Sequence, residues 1–250
     1  MDRNERIVGS ACGIMRLEGM IVPKSISGAI MRCLNGEATF DFVVHYMAGA
    51  KASYRGAYCS ERSSDDPTCY AEGTLINKLN IRSCDLLMEK IRDVVPVRIA
   101  ELDNGPIATD FSMWDLRKIH ERLYSDLFYW TGELRDLPTL DHPHLCSNKE
   151  LEEEMFMLYI ELRDEDNLRD SDDLTGRLAH YVQRINELKP FRVGNGVTAW
   201  VFINELAKIN GRYLDYSKAS EGLTDVALKR AAAGDVSFLK EILDSIITDY

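Results

Sequence analysis

No two cysteines stand at CxxC spacing: Cys12, Cys33, Cys59, Cys69, Cys84 and Cys146 are scattered through the first 150 residues. A structural zinc site wants paired ligands at short spacing, so the six read as reduced thiols and no metal site is expected. No apolar run approaches the roughly 18 residues of a membrane span. The opening MDRNERIVGS has no long apolar stretch after its charges, so no signal peptide is expected. Basic charge is scarce, with 30 Lys and Arg against 41 Asp and Glu for a net charge of -11. Such a field repels phosphate backbones, which argues against nucleic-acid binding. Internal repeats and low-complexity segments are missing, and strand signals are few. What remains is the profile of a cytoplasmic, mostly α protein long enough to bury a core without staples.

Helical signals fill the chain. Ile7, Ala11, Ile14 and Leu17 recur at spacings of four and three, an amphipathic stripe with Gly19 placed to stop it. A second helix is expected from about Lys24 to Leu34, closed by Asn35-Gly36, and a third from about Thr39 to Ala48. Gly49 to Gly73 is aperiodic and reads as a long loop or linker. Beyond it, Leu116, Ile119 and Leu123 mark a helix entered through Asp110 or Ser112. Pro138 to Ser147 is turn-rich. Further helices carry Leu151, Met155, Leu158 and Leu162; Leu174, Leu178, Tyr181, Ile185 and Leu188; Trp200, Ile203 and Leu206; and Leu239, Ile242, Leu243 and Ile246. Glu152, Glu153 and Glu154 fall on the outer face of one of these, Asp164 to Asp173 reads as a solvated loop, and Trp114, Trp130 and Trp200 read as core residues.

Chemistry concentrates between two helices, in Lys189-Pro190-Phe191-Arg192-Val193-Gly194-Asn195-Gly196. Two glycines around an Asn permit positive φ. Successive backbone N–H groups can then turn inward as an anion nest, with the positive end of the following helix aimed at the same spot. The same tripeptide also suits a plain helix–helix turn.

The segment resembles the signature of the Fic (Fido) family, H-x-F-x-[D/E]-G-N-G-R-x-x-R. The likeness extends to Gly73-Thr74-Leu75-Ile76-Asn77-Lys78-Leu79-Asn80-Ile81, to Leu116–Leu123 and to Tyr129-Trp130-Thr131-Gly132-Glu133-Leu134-Arg135, covering about residues 54 to 247. It implies a helical Fic core with a short β-hairpin flap at Pro138 to Ser147. The family typically transfers AMP from ATP, with Mg²⁺, to a hydroxyl of a target protein. The motif His is then the base, the acid holds Mg²⁺, the GNG nest holds the phosphates, and the two arginines neutralise them.

Four of those positions differ here. Lys189 stands at the base, and a lysine with pKa about 10.4 accepts no proton at neutral pH unless strongly desolvated. Val193 stands at the metal carboxylate and binds no Mg²⁺. Val197 and Trp200 stand at the two arginines, removing charge-assisted phosphate contacts. Phe191 and the nest Gly194, Asn195 and Gly196 remain. Losing the base alone costs a factor of about 10²–10⁴. The expectation is a Fic fold that has given up AMP transfer, in which Lys189 could still pair with a phosphate. His120 reads as structural rather than as a replacement base.

Residues 1–50 form a separate expectation, an antitoxin-like helical unit ahead of a Fic domain at 51–250. Met15-Arg16-Leu17-Glu18-Gly19 resembles the end of the inhibitory motif [S/T]-x-x-x-E-[G/N], with Ile14 at the hydroxyl position. In the family the motif glutamate pairs with the second signature arginine, and Trp200 is there instead. The helix could be a relic that packs on the core, act in trans on an active Fic toxin, or serve another role. The functional expectation is a regulatory or interaction protein of a Fic toxin–antitoxin type system. The alternatives are an adenylyltransferase with altered chemistry and a nucleotide-binding pseudoenzyme.

Overall fold

A computed structural model describes residues 2–50, 67–105, 111–136, 147–220 and 222–250. Among these the chain is mostly helical, with ten α-helices and one two-stranded sheet. α1 (Arg3–Leu17) opens on a capping box in which Asp2 and Glu5 satisfy each other's backbone N–H groups. It ends before Gly19, whose φ of +74° suits a residue without a Cβ. α2 (Lys24–Leu34) and α3 (Phe40–Gly49) follow, α3 entered where Thr39 Oγ1 accepts from Phe42 N–H at 3.2 Å.

Next come α4 (Cys84–Asn104), α5 (Met113–Tyr124), α6 (Asn148–Asp164), α7 (Leu174–Leu188) and α8 (Asn195–Ile209). α9 (Leu223–Ala232) and α10 (Ser237–Ile246) complete the helices. The strands β1 (Arg212–Leu214) and β2 (Ile247–Asp249) pair antiparallel, Tyr213 opposite Thr248. The sheet is therefore not the hairpin expected at Pro138 to Ser147, most of which lies outside the described residues, as do Cys59 and Cys146. Cys12 and Cys33 are free thiols.

α4 and α9 have no counterpart in the sequence reading. α4 carries Pro96 in mid-helix, a residue that normally stops one, and it is buried on several sides, Val94, Val95, Val97 and Ile99 included. Such a helix has no amphipathic stripe to read. It packs against α1, α2, α3, α5 and α8. α8 is the other central helix, buried from Gly196 to Lys208.

The apolar core is one continuous cluster that includes Ile7, Ile30 and Val44 together with Val94, Leu178, Ile203 and Leu243. Polar ties reinforce it. Buried Arg98 on α4 reaches Asp41 of α3 at 2.7 Å and Asp126, just beyond α5, at 2.8 Å. Lys208 lies between Asp103 at 2.5 Å and Glu205 at 2.6 Å, and Tyr213 donates to Asp103 at 2.5 Å, linking α4, α8 and β1. Of the tryptophans read as core, Trp200 is fully buried, whereas Trp114 is 59% exposed under Arg117. A tryptophan at an outer helix position finds its partner in a cation rather than in the core. No described helix is long and apolar enough to cross a membrane.

Candidate functional site

The loop between α7 and α8 is held from three sides. α7 ends at Lys189, a left-handed residue with φ 43° and ψ 64° whose N–H donates to Ile185 O. The last carbonyls of the helix are taken up by Arg135, a fully buried guanidinium. Its Nε donates to Lys189 O at 2.8 Å, Nη2 donates to Leu188 O at 3.1 Å, and its backbone N–H donates to Pro190 O at 2.8 Å. A cation at a helix C-terminus also meets the negative end of the dipole.

Phe191 is wholly buried and stacks on His120 at 3.9 Å between centroids. His120 Nδ1 accepts from Gly132 N–H at 2.9 Å, so Nε2 carries the proton and donates to Val193 O at 3.1 Å. Burial pushes this imidazole down to about 3. It is neutral at pH 7 with both nitrogens engaged, a brace for the loop and not a base.

Asn195 closes the loop on itself. Its side chain accepts from Phe191 N–H and donates to Phe191 O, both at 2.8 Å, so it shapes the nest rather than facing out of it. Gly194 caps α8 with φ +76°, and a Cβ there would fall 2.3 Å from the Tyr124 ring. Only glycine meets both demands.

In front of the first turn of α8 stands a carboxylate. A Cβ built on Gly196 would come within 2.1 Å of Glu18 Oε1 and 2.4 Å of Oε2. Glu18 is the residue that ends α1, and its Oε1 accepts from Trp200 Nε1 at 3.1 Å. Trp200 is fixed in turn, packed edge-on to Tyr216 at 5.8 Å, with its carbonyl accepting from Tyr216 Oη–H at 2.8 Å. Crowding by protein raises the Glu18 carboxyl above its ordinary range, partly offset by the Trp200 hydrogen bond and the positive charge of Lys189. Burial and the Glu18 charge together push the Tyr124 phenol up.

α1 reaches this position through close packing. A Cβ on Gly13 would lie 2.2 Å from Tyr216 O, and one on Gly9 would lie 2.9 Å from Ser217 Cβ. Arg16 Nη2 donates to Ser217 O at 3.1 Å and Ala219 O at 3.0 Å. The helix is seated in cis with Glu18, the residue that caps it, over the nest.

The sequence-derived residues thus fall into two groups. Glu18, Gly196 and Trp200 meet, with Lys189 near enough to act on Glu18 by charge. Val197 is buried in the core and Val193 is packed against it. Trp200, at the position of the second signature arginine, gives Glu18 a donor through its indole N–H. Arg135, Tyr124, Tyr216 and Arg16 were not singled out. Arg135 lay inside the WTGELR stretch, but nothing local marks it as the cap of a helix 53 residues away.

Mg²⁺, which the resemblance brings with it, does not fit these residues. Val193 offers no side-chain oxygen, and no group of three His, Cys, Asp or Glu among the described residues is placed for a metal; a carboxylate stands over Gly196 at the start of α8.

Residues 110–207 match the model of the Fic/DOC family. A probable protein adenylyltransferase Fic from Escherichia coli K12 is 32% identical over 177 residues, 69% of this chain and 87% of the relative. The protein adenylyltransferase VbhT of Bartonella schoenbuchensis is 25% identical over 194 residues, 76% of this chain and 40% of that protein. Among solved structures, the BepC effector of Bartonella tribocorum with bound AMPPNP superposes with a TM-score of 0.64 at 22% identity, covering 71% of this chain and 93% of that one. The Fic domain of Bep8 from Bartonella sp. 1-1C gives a TM-score of 0.64 at 26% identity, over 70% of this chain and 90% of that one. With the helical core, the Gly194-Asn195-Gly196 loop and these relatives in agreement, the chain belongs to the Fic/DOC family.

Proposed function

We propose that this chain is a Fic-fold protein without AMP transfer, and that it acts as a regulatory or interaction protein of a Fic toxin–antitoxin type system. One observation carries the reading: the Glu18 carboxylate lies over Gly196, held by the indole of Trp200 at a position where the resemblance implies an arginine. The nest keeps its shape but faces an anion of its own chain. Lys189 in place of a base and Val193 in place of a metal ligand support the same conclusion, since phosphoryl chemistry rests on positioning and electrostatic stabilisation. The docking of α1 favours a role for that helix in cis. An intact Fic toxin is the partner class the reading implies.

The test is incorporation of labelled AMP from ATP by the full chain, with and without Mg²⁺, alone and with an active Fic protein added. No incorporation by the chain alone, with a changed rate for the added Fic protein, is the expected result. Incorporation that depends on Lys189 would overturn the reading and restore an adenylyltransferase with altered chemistry.

A second reading, a nucleotide-binding pseudoenzyme, is favoured by the nest at the N-terminus of α8 beside a cationic Lys189. Calorimetry with ADP and ATP on the wild type and on Glu18→Gly decides it. Nucleotide bound by the wild type favours the pseudoenzyme, whereas binding by Glu18→Gly alone marks a nest that Glu18 keeps closed.

A further inference from the structure

α6 carries two apolar stripes where one suffices. Leu151, Met155, Leu158 and Leu162 are buried against the body of the protein. Beside that seam, Phe156 is 51% exposed and stands 6.3 Å, ring to ring, from Tyr159, which is half-buried at the edge of the seam. Singly exposed apolar residues need no explanation, but an aromatic pair on a helix face that already has its inner seam does.

The charges beside that pair are ordered. Glu152, Phe156, Tyr159 and Arg163 are spaced four, three and four, so they line one side of the helix. Glu152 is exposed, and Arg163 has half its side chain in solvent and pairs with the neighbouring, exposed Asp164 at 2.9 Å. The midpoint of this stripe lies between Met157 and Leu158. Glu152 precedes it by as much as Arg163 follows it, and Phe156 and Tyr159 flank it equally. A two-fold axis through that midpoint would set Glu152 of one copy against Arg163 of another and Phe156 against Tyr159, all at once. The stripe is complementary to itself run backwards, as an isologous contact requires.

We propose that the outer face of α6 is a homodimer interface, in which two copies of the chain pair α6 antiparallel about this midpoint. The occupant is a second copy and not an unrelated helix because an acidic end, an aromatic centre and a basic end match only a partner with the reverse order. This chain supplies that order itself. The contact is narrow for a stable interface, and each chain carries a net charge of -11, so the dimer is a weak, micromolar one.

Sedimentation equilibrium on the full chain, from low to high micromolar, tests this with three variants. Wild type is expected to dimerise. Phe156→Glu should abolish the dimer while helicity and melting temperature stay unchanged, since the ring is on the surface. Glu152→Arg turns two symmetric attractions into repulsions and should weaken the dimer about tenfold, from surface pairs each in the sub-kilocalorie range. Glu152→Arg with Arg163→Glu recreates the pairing reversed and should restore the wild-type dissociation constant. A wild type monomeric at high micromolar overturns the proposal. So does a dimer indifferent to Phe156→Glu, or a charge-swapped double variant that stays as weak as Glu152→Arg.

Discussion

Trp200 Nε1 donates to Glu18 Oε1 at 3.1 Å across the mouth of the glycine nest. The donor sits on the residue that replaces an arginine of the family signature, so the contact survives with a different chemistry. An indole offers one neutral N–H where a guanidinium offers several charged ones. The carboxylate is therefore held in place but poorly compensated, and its affinity for a proton rises.

Trp200→Phe separates the two parts of this contact. It keeps most of the buried aromatic volume and removes the single donor. The expected cost is about 1 kcal/mol, the size of one net hydrogen bond at a partly open site, read as a lower denaturation midpoint at unchanged slope. Glu18→Gln keeps an acceptor for the indole and removes the charge. A folded-state carboxyl raised above its unfolded value gives stability that is complete at low pH and is lost as pH climbs through the folded value. Stability measured at rising pH should therefore fall less in Glu18→Gln than in wild type over the window just above the usual carboxylate range. A steeper fall in the variant would show that Glu18 is stabilised as an anion.

His120 gives the opposite pH signature. Its imidazole titrates near 3 in the folded protein and about 6.5 when unfolded. The folded state is fully favoured above the unfolded value, and stability drains away as pH falls from there towards 3. Each unit of difference is worth about 1.4 kcal/mol, so several kcal/mol are at stake in mild acid. His120→Phe should flatten this acid limb and, at pH 7.5, cost about 2–4 kcal/mol by orphaning Gly132 N–H and Val193 O. Urea titrations at pH 7.5 and in mild acid decide it.

The two nest glycines should respond differently to a methyl group. On Gly194 the Cβ meets the Tyr124 ring at 2.3 Å and the backbone has φ +76°. The ring is buried and rigid, so Gly194→Ala combines left-handed strain with overpacking, about 3 kcal/mol or more. On Gly196 the atoms nearest the Cβ belong to the end of the Glu18 side chain, which can swing to solvent, while the helix gains up to about 1 kcal/mol from alanine. Gly196→Ala should thus leave stability nearly unchanged and displace Glu18. Thermal melts of the two variants, with Trp200 fluorescence as a reporter of the Glu18 contact, check both halves.

Much of this arrangement was open to reading in residue order. Stripes such as Leu174 to Leu188 predict α7 because a helix with one wet face repeats every three or four residues. Asn35-Gly36 and Gly19 mark helix ends because they tolerate left-handed backbone. The Gly194-Asn195-Gly196 loop was visible for the same reason. α4 was not, because a helix buried on several sides loses its period, and Pro96 argues against it locally. Nor was the Trp200 contact: substituting tryptophan for arginine reads as loss of a cation, and only the distance to Glu18 reveals that an N–H still points the same way. Braces such as Arg135 join segments about 50 residues apart, and local spacing says nothing of such ties.

Seating of α1 rests on glycine at one contact above all. Gly13 lies against the backbone carbonyl of Tyr216, where a Cβ would come within 2.2 Å, and backbone cannot step aside as the Glu18 side chain can. Gly13→Val should therefore lift α1 off the Tyr216–Lys218 turn, break the Arg16 hydrogen bonds to Ser217 and Ala219, and carry Glu18 away from the nest. Hydrogen exchange should rise across α1, with Ile7, Ala11 and Ile14 losing their burial, while α7 and α8 stay protected. A cis role for the helix also requires that Gly13→Val and Glu18→Gly have the same effect on nucleotide binding, because both empty the same space. If exchange in α1 is already fast in the wild type, the helix is loosely held and free to act on another chain.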